Sequence, residues 1–239
     1  MYFYQGNFSG NILTFAFRCA DTARHYGDAL RTAPPAEECI IIPEEDAEDW
    51  MKRWNYTDPS YAEYVLSLCY ACDRLMKRHF TVFHGVSFLW NGRAYVVTGP
   101  SGTGKTTQAR LWKSLFPDEV EILNGDKPIL EAGTEENIIV HPSPWKGKEG
   151  YGRDDITAQL GGIILLRQAK RNSIRRLAPA EAAQNLFGRI YSTFNTEEEI
   201  LNAAGILDSI LRNVPVWLLE NRGDEESVRM TRRELLSEE

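Results

Sequence analysis

Residues 86–106 read VSFLWNGRAYVVTGPSGTGKT, and this stretch decides the fold. Val86–Trp90 and Arg93–Thr98 are rich in β-branched and aromatic residues, the composition of strands. Asn91-Gly92 between them predicts a two-residue turn with positive φ at both positions, so the strands pair antiparallel. Gly99-Pro100-Ser101-Gly102-Thr103-Gly104-Lys105-Thr106 then satisfies G-x-x-x-x-G-K-[ST] at every fixed position. Its glycines let the backbone curl so that several N–H groups aim at one anion, and the helix that starts there adds its positive dipole end. The motif requires a strand before it and a helix after it. Both are expected, the helix running from about Gly104 to Phe116 and stopping at Pro117-Asp118.

Gly99 to Thr107, with Thr107 the residue after the motif, are therefore candidates for binding ATP or another nucleoside triphosphate. Lys105 can reach the β- and γ-phosphates as a point charge, and the Thr106 hydroxyl suits Mg²⁺. Downstream, the strand Val120–Leu123 ends at Asn124-Gly125-Asp126. Ligands in α/β sheets sit at the carboxyl ends of strands, which places Asp126 beside the Mg-phosphate site. There it can ligate the metal through water or accept a proton from an attacking hydroxyl.

A second candidate is the loop 142–155, with Ser143-Pro144-Trp145-Lys146-Gly147-Lys148-Glu149-Gly150-Tyr151-Gly152 at its centre. Lysines next to glycines approach phosphate oxygens closely, and the glycines allow closure as a lid. Lys148, flanked by Gly147 and, beyond Glu149, by Gly150, is the first choice for phosphate. Glu149 is the candidate to complete a Mg²⁺ shell. One of several arginines, Arg153 and Arg189 among them, can stabilise charge on a transferring phosphoryl group, and the sequence does not choose between them.

Further out, short strands are expected at Ile129–Leu130 and Ile138–Val140, and a buried strand at Gly161–Leu166 with Ser173–Leu177 as its partner. Helices follow at about Pro179–Phe187 and Glu197–Leu211, then a strand Val214–Leu219 and a polar C-terminal helix. In residues 1–80, Ile12–Phe17 and Cys39–Ile42 are expected strands. A helix opens at Asp58-Pro59, with Asp58 as N-cap and Pro59 at the first helical position. It carries Cys69-Tyr70-Ala71-Cys72 in mid-helix, with a sulfur on the apolar stripe. A reactive pair sits at a helix N-terminus, so core packing is the expectation here. The organisation expected is a small mixed N-terminal subdomain, 1–80, and a phosphate-loop core, 81–239. The fold class is α/β with α+β character: a mixed sheet, an antiparallel hairpin leading into the P-loop, and helices packed around it.

Composition excludes several classes. Apolar residues make up 43% and charged residues 26% of 239 residues, which is globular composition. The net charge of −7 argues against nucleic acid or an anionic membrane as partner. No stretch approaches the roughly 20 apolar residues of a membrane-spanning helix. The start has no signal-peptide pattern, and four scattered cysteines do not make a disulfide scaffold. The expected compartment is the cytoplasm.

From His84-Gly85-Val86 through the hairpin, Gly99–Thr107 and Leu123-Asn124-Gly125-Asp126, the chain resembles the kinase core of HPr kinase/phosphorylase and, more distantly, phosphoenolpyruvate carboxykinase. About 45 residues resemble it closely and residues 80–220 loosely. The resemblance implies an active-site histidine at His84, with Lys105 and Thr106 as the loop's lysine and hydroxyl residue. The HPr kinases carry two consecutive aspartates where this chain has Gly125-Asp126-Lys127, and Asp126 matches either one depending on the anchor. The expected function is a Mg-ATP-dependent kinase acting on a hydroxyl of a peptide, protein or small molecule, with Asp126, His84 and Lys105 catalytic and Thr106, Asp126 and Glu149 on the metal. The alternative is a nucleotide-dependent binding module with little phosphotransfer, and an NTPase motor ranks last. Residues 1–80 are expected to build the acceptor side or an oligomer interface, so a homo-oligomer is compatible with the sequence.

Overall fold

The computed structural model describes residues 1–133, 137–147 and 149–237. They divide into two units: residues 1–78 with 191–202, and residues 79–190 with 203 onward.

In the first unit, β1 (Tyr2–Phe8) and β2 (Asn11–Phe17) form an antiparallel hairpin, and β3 (Arg31–Thr32) pairs with the other edge of β1. The expected strand Ile12–Phe17 is present. Its partner β1 went unread because Gln5, Gly6 and Asn7 dilute the apolar alternation that marks a strand. The expected strand Cys39–Ile42 does not form. Ile40 makes one parallel bridge to Phe15. Pro43 and the acidic run Glu44-Glu45-Asp46 then start a helix, α1 (Glu44–Trp54), as carboxylates at a helix N-terminus favour. Helix α2 (Pro59–Met76) begins as expected, with the Asp58 side chain accepting from the backbone N–H of Ser60 at 2.9 Å and Tyr61 at 3.4 Å. Cys72 is fully buried on this helix and Cys69 half-buried. Buried Asp73 accepts from Ser192 Oγ at 2.5 Å and from Thr193 N and Oγ1 at 3.2 and 2.8 Å, which ties residues 191–202 to this unit.

The second unit contains, in chain order, β4 (Phe80–Val82), β5 (Gly85–Trp90), β6 (Arg93–Thr98), α3 (Lys105–Leu115), β7 (Glu121–Asn124), β8 (Ile129–Ala132) and β9 (Ile138–His141). After these come β10 (Ala158–Gln168), β11 (Ser173–Arg176), α4 (Pro179–Leu186), most of α5 (Glu197–Asn213), β12 (Val216–Asn221) and α6 (Glu225–Leu236). Among the described residues nine strands form one mixed sheet, in the order β4-β8-β9-β10-β6-β5-β7, with β12 on β10 and β11 on β12. This is the α/β class expected, and the hairpin is the expected one: Trp90 faces Arg93, and Asn91 and Gly92 have φ of 49° and 71°. Strand β10 runs parallel to both β6 and β12, while β7 is antiparallel to β5 and so parallel to β6. The carboxyl ends of β6, β7, β10 and β12 thus share one edge of the sheet with the start of β5. Ser173–Arg176 pairs with β12 and not with β10 as expected. The reason is that β10 already has parallel neighbours, β6 and β12, on either side.

Alternate residues of β5, β6, β10 and β12 (Phe88, Tyr95, Ile164 and Trp217 among them) pack with Trp112 of α3 and Val228 of α6 into one buried cluster. Trp112 is 1% exposed, and truncating such a side chain costs about 3–5 kcal/mol. Gly162 is needed for this packing, since a Cβ there would stand 2.3 Å from the Trp217 ring. That cluster holds α3, and with it the phosphate loop, against the sheet edge.

Candidate functional site

The loop after β6 has the conformation its glycines predict. Gly99, Gly102 and Gly104 have φ of 150°, 79° and 96°. A Cβ on Gly99 would lie 2.9 Å from Thr103 Oγ1 and 3.0 Å from Leu166 O. Lys105 Nζ donates to Gly99 O at 3.1 Å and Pro100 O at 3.2 Å, which folds the side chain back over the loop. Burial holds its ammonium pKa below the usual value, with Arg189 and Lys127 adding repulsion and Asp126 opposing them. A half-desolvated lysine of this kind gains most when an anion arrives.

Asp126 is fixed by its neighbours. Buried Asn124 closes β7, and its Oδ1 accepts from Asp126 N at 2.9 Å and Lys127 N at 2.7 Å. Asp126 O in turn accepts from Gly85 N at 2.8 Å, which ties it to the start of β5. The carboxylate meets Lys127 Nζ through Oδ2 and stands 3.6 Å from His84 Nε2 through Oδ1.

His84 is held from both sides, its N–H donating to Arg189 O at 2.7 Å and its carbonyl accepting from Thr98 Oγ1 at 2.6 Å. Gly85 has no room for a side chain, since a Cβ would meet Val96 Cγ1 at 2.7 Å. Burial, and then the positive charge of Lys105, push the His84 pKa down to about 4 despite Asp126. The imidazole is neutral near pH 7, with one ring nitrogen able to donate a hydrogen bond and the other to accept one.

The loop 142–155 lies against the end of β7. Gly125 N donates to Tyr151 O and Arg153 N to Leu123 O, each at 2.9 Å, and Trp145 is buried beneath. Gly147, at φ 74°, approaches Asp126 so closely that a Cβ would fall 2.7 Å from the aspartate's own Cβ. Gly125 is equally constrained, with Lys146 O 2.7 Å from where its Cβ would be. Gly125 is therefore a steric requirement of this loop. Glu149 faces the site but its carboxylate is taken by Arg110 at 2.5 Å, with the Arg110 guanidinium 5.5 Å from the Tyr151 ring centroid. Lys146 pairs with Asp154 at 2.7 Å. Lys148 lies outside the described residues.

His84, Lys105, Thr106, Asp126, Gly147 and Glu149 line one cleft of about 470 Å³. Among the described residues no group of three or more His, Cys, Asp or Glu gathers to hold a metal. Of the arginines the sequence left open, Arg153 is engaged by Asp155 and Glu121. Arg189 acts electrostatically on both Lys105 and His84. Sequence reasoning missed Asn124 as the anchor of Asp126, although an Asn two residues before it is the pattern of an Asx turn. It also passed over Lys127 as the cation paired with Asp126.

No family model matches the chain, and no curated protein matches it. Among solved structures it is similar to the Hpr(Ser) kinase/phosphatase from Coxiella burnetii, with a TM-score of 0.40 and 11% identity over 66% of this chain and 97% of that one. No helix among the described residues is long and apolar enough to cross a membrane.

Proposed function

We propose that this protein is a phosphotransferase that moves the γ-phosphoryl group of a nucleoside triphosphate to a hydroxyl on a peptide, protein or small molecule. The observation that carries this is the meeting, in one cleft, of a phosphate-loop lysine, an aspartate fixed by an Asx turn and a neutral histidine. The loop N–H groups and Lys105 bind the phosphates. Asp126 takes the proton of the acceptor hydroxyl while that oxygen bonds to phosphorus and the bond to the leaving oxygen breaks. Lys105 and Arg189 offset charge on the phosphoryl oxygens, so catalysis rests on positioning and electrostatics. The donor set suits Mg²⁺, which takes one or two carboxylates and completes its shell with phosphates and water. Thr106 and Asp126 would hold it, and it would supply charge neutralisation.

One observation favours a second reading, a nucleotide-dependent binding module with slow or no transfer. The space beside Asp126 where a second carboxylate would stand is filled by Lys146 O and Tyr151. Incubation with Mg-ATP and a panel of hydroxyl acceptors, read by mass, separates the two. A product 80 Da heavier, absent with Lys105→Ala, supports the phosphotransferase. Nucleotide binding without product from any acceptor supports the module.

A further inference from the structure

The reaction above uses one side of the phosphate loop. The other side opens on a second cleft of about 470 Å³, walled by the carboxyl ends of β10 and β12. Gly102, Gly104 and Thr107 line both clefts, so the loop is the partition between them. We infer that the second cleft holds the nucleoside of the triphosphate, an inference that rests on the phosphotransferase reading.

A nucleoside triphosphate has a reacting phosphoryl group at one end and a sugar and base at the other. His84 and Asp126 fix the reacting end on the first side. A polyphosphate seated over Gly102–Thr107 therefore leaves the loop toward Gln168 and Arg222.

The wall there has the chemistry for a nucleoside. Gln168 Nε2 donates to Gly102 O at 3.1 Å, which leaves its carboxamide oxygen to accept from a sugar hydroxyl or a base amine. The Arg222 guanidinium is held on Asp224 Oδ2 through Nε at 2.8 Å and Nη2 at 2.5 Å, and the Arg222 N–H bonds Asn172 Oδ1 at 2.9 Å. A guanidinium held in place offers a planar face on which a base can stack. Buried Asn221 makes the floor, its Oδ1 accepting from Gln108 Nε2 at 3.3 Å and its Nδ2 donating to Arg167 O at 3.3 Å. No aromatic ring lines the cleft among the described residues, so recognition runs through hydrogen bonds and the guanidinium.

Calorimetry with saturating Mg²⁺ on the full chain, comparing ATP with inorganic tripolyphosphate, tests this. Wild-type protein should prefer ATP by about tenfold or more, the scale of one stacked base. Arg222→Ala should bring the ratio of the two affinities close to one, and so should Ala169→Phe, which fills the cleft. Arg222 has a side chain 52% exposed, so its variant tests the inference even if Ala169→Phe fails to fold. If wild type binds both ligands without preference, or Arg222→Ala keeps the full preference, the nucleoside assignment is wrong and the phosphate loop still stands. If neither ligand binds wild type, both readings fall together.

Discussion

His84 Nε2 stands 3.6 Å from Asp126 Oδ1, beyond a good hydrogen bond but near enough for each group to feel the other's charge. The pair lines the same cleft as Lys105, and the other carboxylate lining it among the described residues, Glu149, is bound to Arg110. Asp126 is thus the decisive residue of the proposed reaction.

Asp126→Asn keeps the size of the side chain but removes its ability to take a hydroxyl proton. Nucleotide affinity measured by calorimetry should fall only a few-fold, since the loop and Lys105 are untouched and the Asn oxygen can still face Mg²⁺, while turnover falls about 10²–10⁴-fold. Loss of Mg-dependent nucleotide binding, partly restored by more Mg²⁺, would instead make Asp126 chiefly a metal ligand. Undiminished transfer would remove it from the reaction.

His84 makes stability depend on pH in a defined window. The unfolded chain protonates it near 6.5 and the folded protein near 4. Between those values the unfolded state binds more protons, so its contribution is complete above 6.5 and lost as pH falls toward 4. Nucleotide-free wild type should lose about 2–3 kcal/mol more than His84→Gln between pH 7 and pH 4.5 in urea unfolding. Equal losses would show that the imidazole is not desolvated.

Arg189 should matter to the rate more than to binding. Arg189→Gln leaves intact the backbone carbonyl that holds His84, and transfer should slow by about 10²–10³-fold. ATP affinity should change only a few-fold, with partial rescue by Arg189→Lys. Equal effects on affinity and rate would assign Arg189 to ground-state binding.

Gly125→Asp recreates two consecutive aspartates but puts a Cβ 2.7 Å from Lys146 O. Denaturant unfolding should show a loss of about 1–3 kcal/mol, the usual cost of overpacking. A variant as stable as wild type would mean that the loop 142–155 yields easily.

Mg-ATP at 100 times its dissociation constant should stabilise the protein by about 2.7 kcal/mol. A melting shift should be seen with wild type and largely vanish with Lys105→Ala. Equal shifts in the two would place the nucleotide elsewhere.

What could be read from the sequence was whatever depends on local backbone rules. Asn91-Gly92 dictates its turn, Asp58-Pro59 its helix start, and the Gly99–Thr106 spacing its loop. Each is set by residues a few positions apart. The misreadings concern competition from what flanks an element, in the chain or in the sheet. Cys39–Ile42 has strand composition, yet Pro43 and three acidic residues start a helix just beyond it. Ser173–Arg176 is a strand as expected, but its partner depends on which strands already flank β10. Within the site, Lys105 and Asp126 were recognisable from motif and strand end. That Glu149 is bound to Arg110, and that Arg189 rather than Arg153 acts on Lys105, follows from contacts 39 or more positions apart and has no local signature.

The bonds from Asp73 to Ser192 and Thr193 carry a consequence for how the protein is made. The first unit is completed only by residues 191–202, and the 112 residues from His79 to Ile190 must be synthesised in between. At about 5–20 residues per second, that interval lasts roughly 5–20 s. Throughout it the Asp73 carboxylate remains without the two hydroxyls that satisfy it in the finished fold. Residues 1–78 are therefore unable to finish folding until most of the phosphate-loop unit has already emerged.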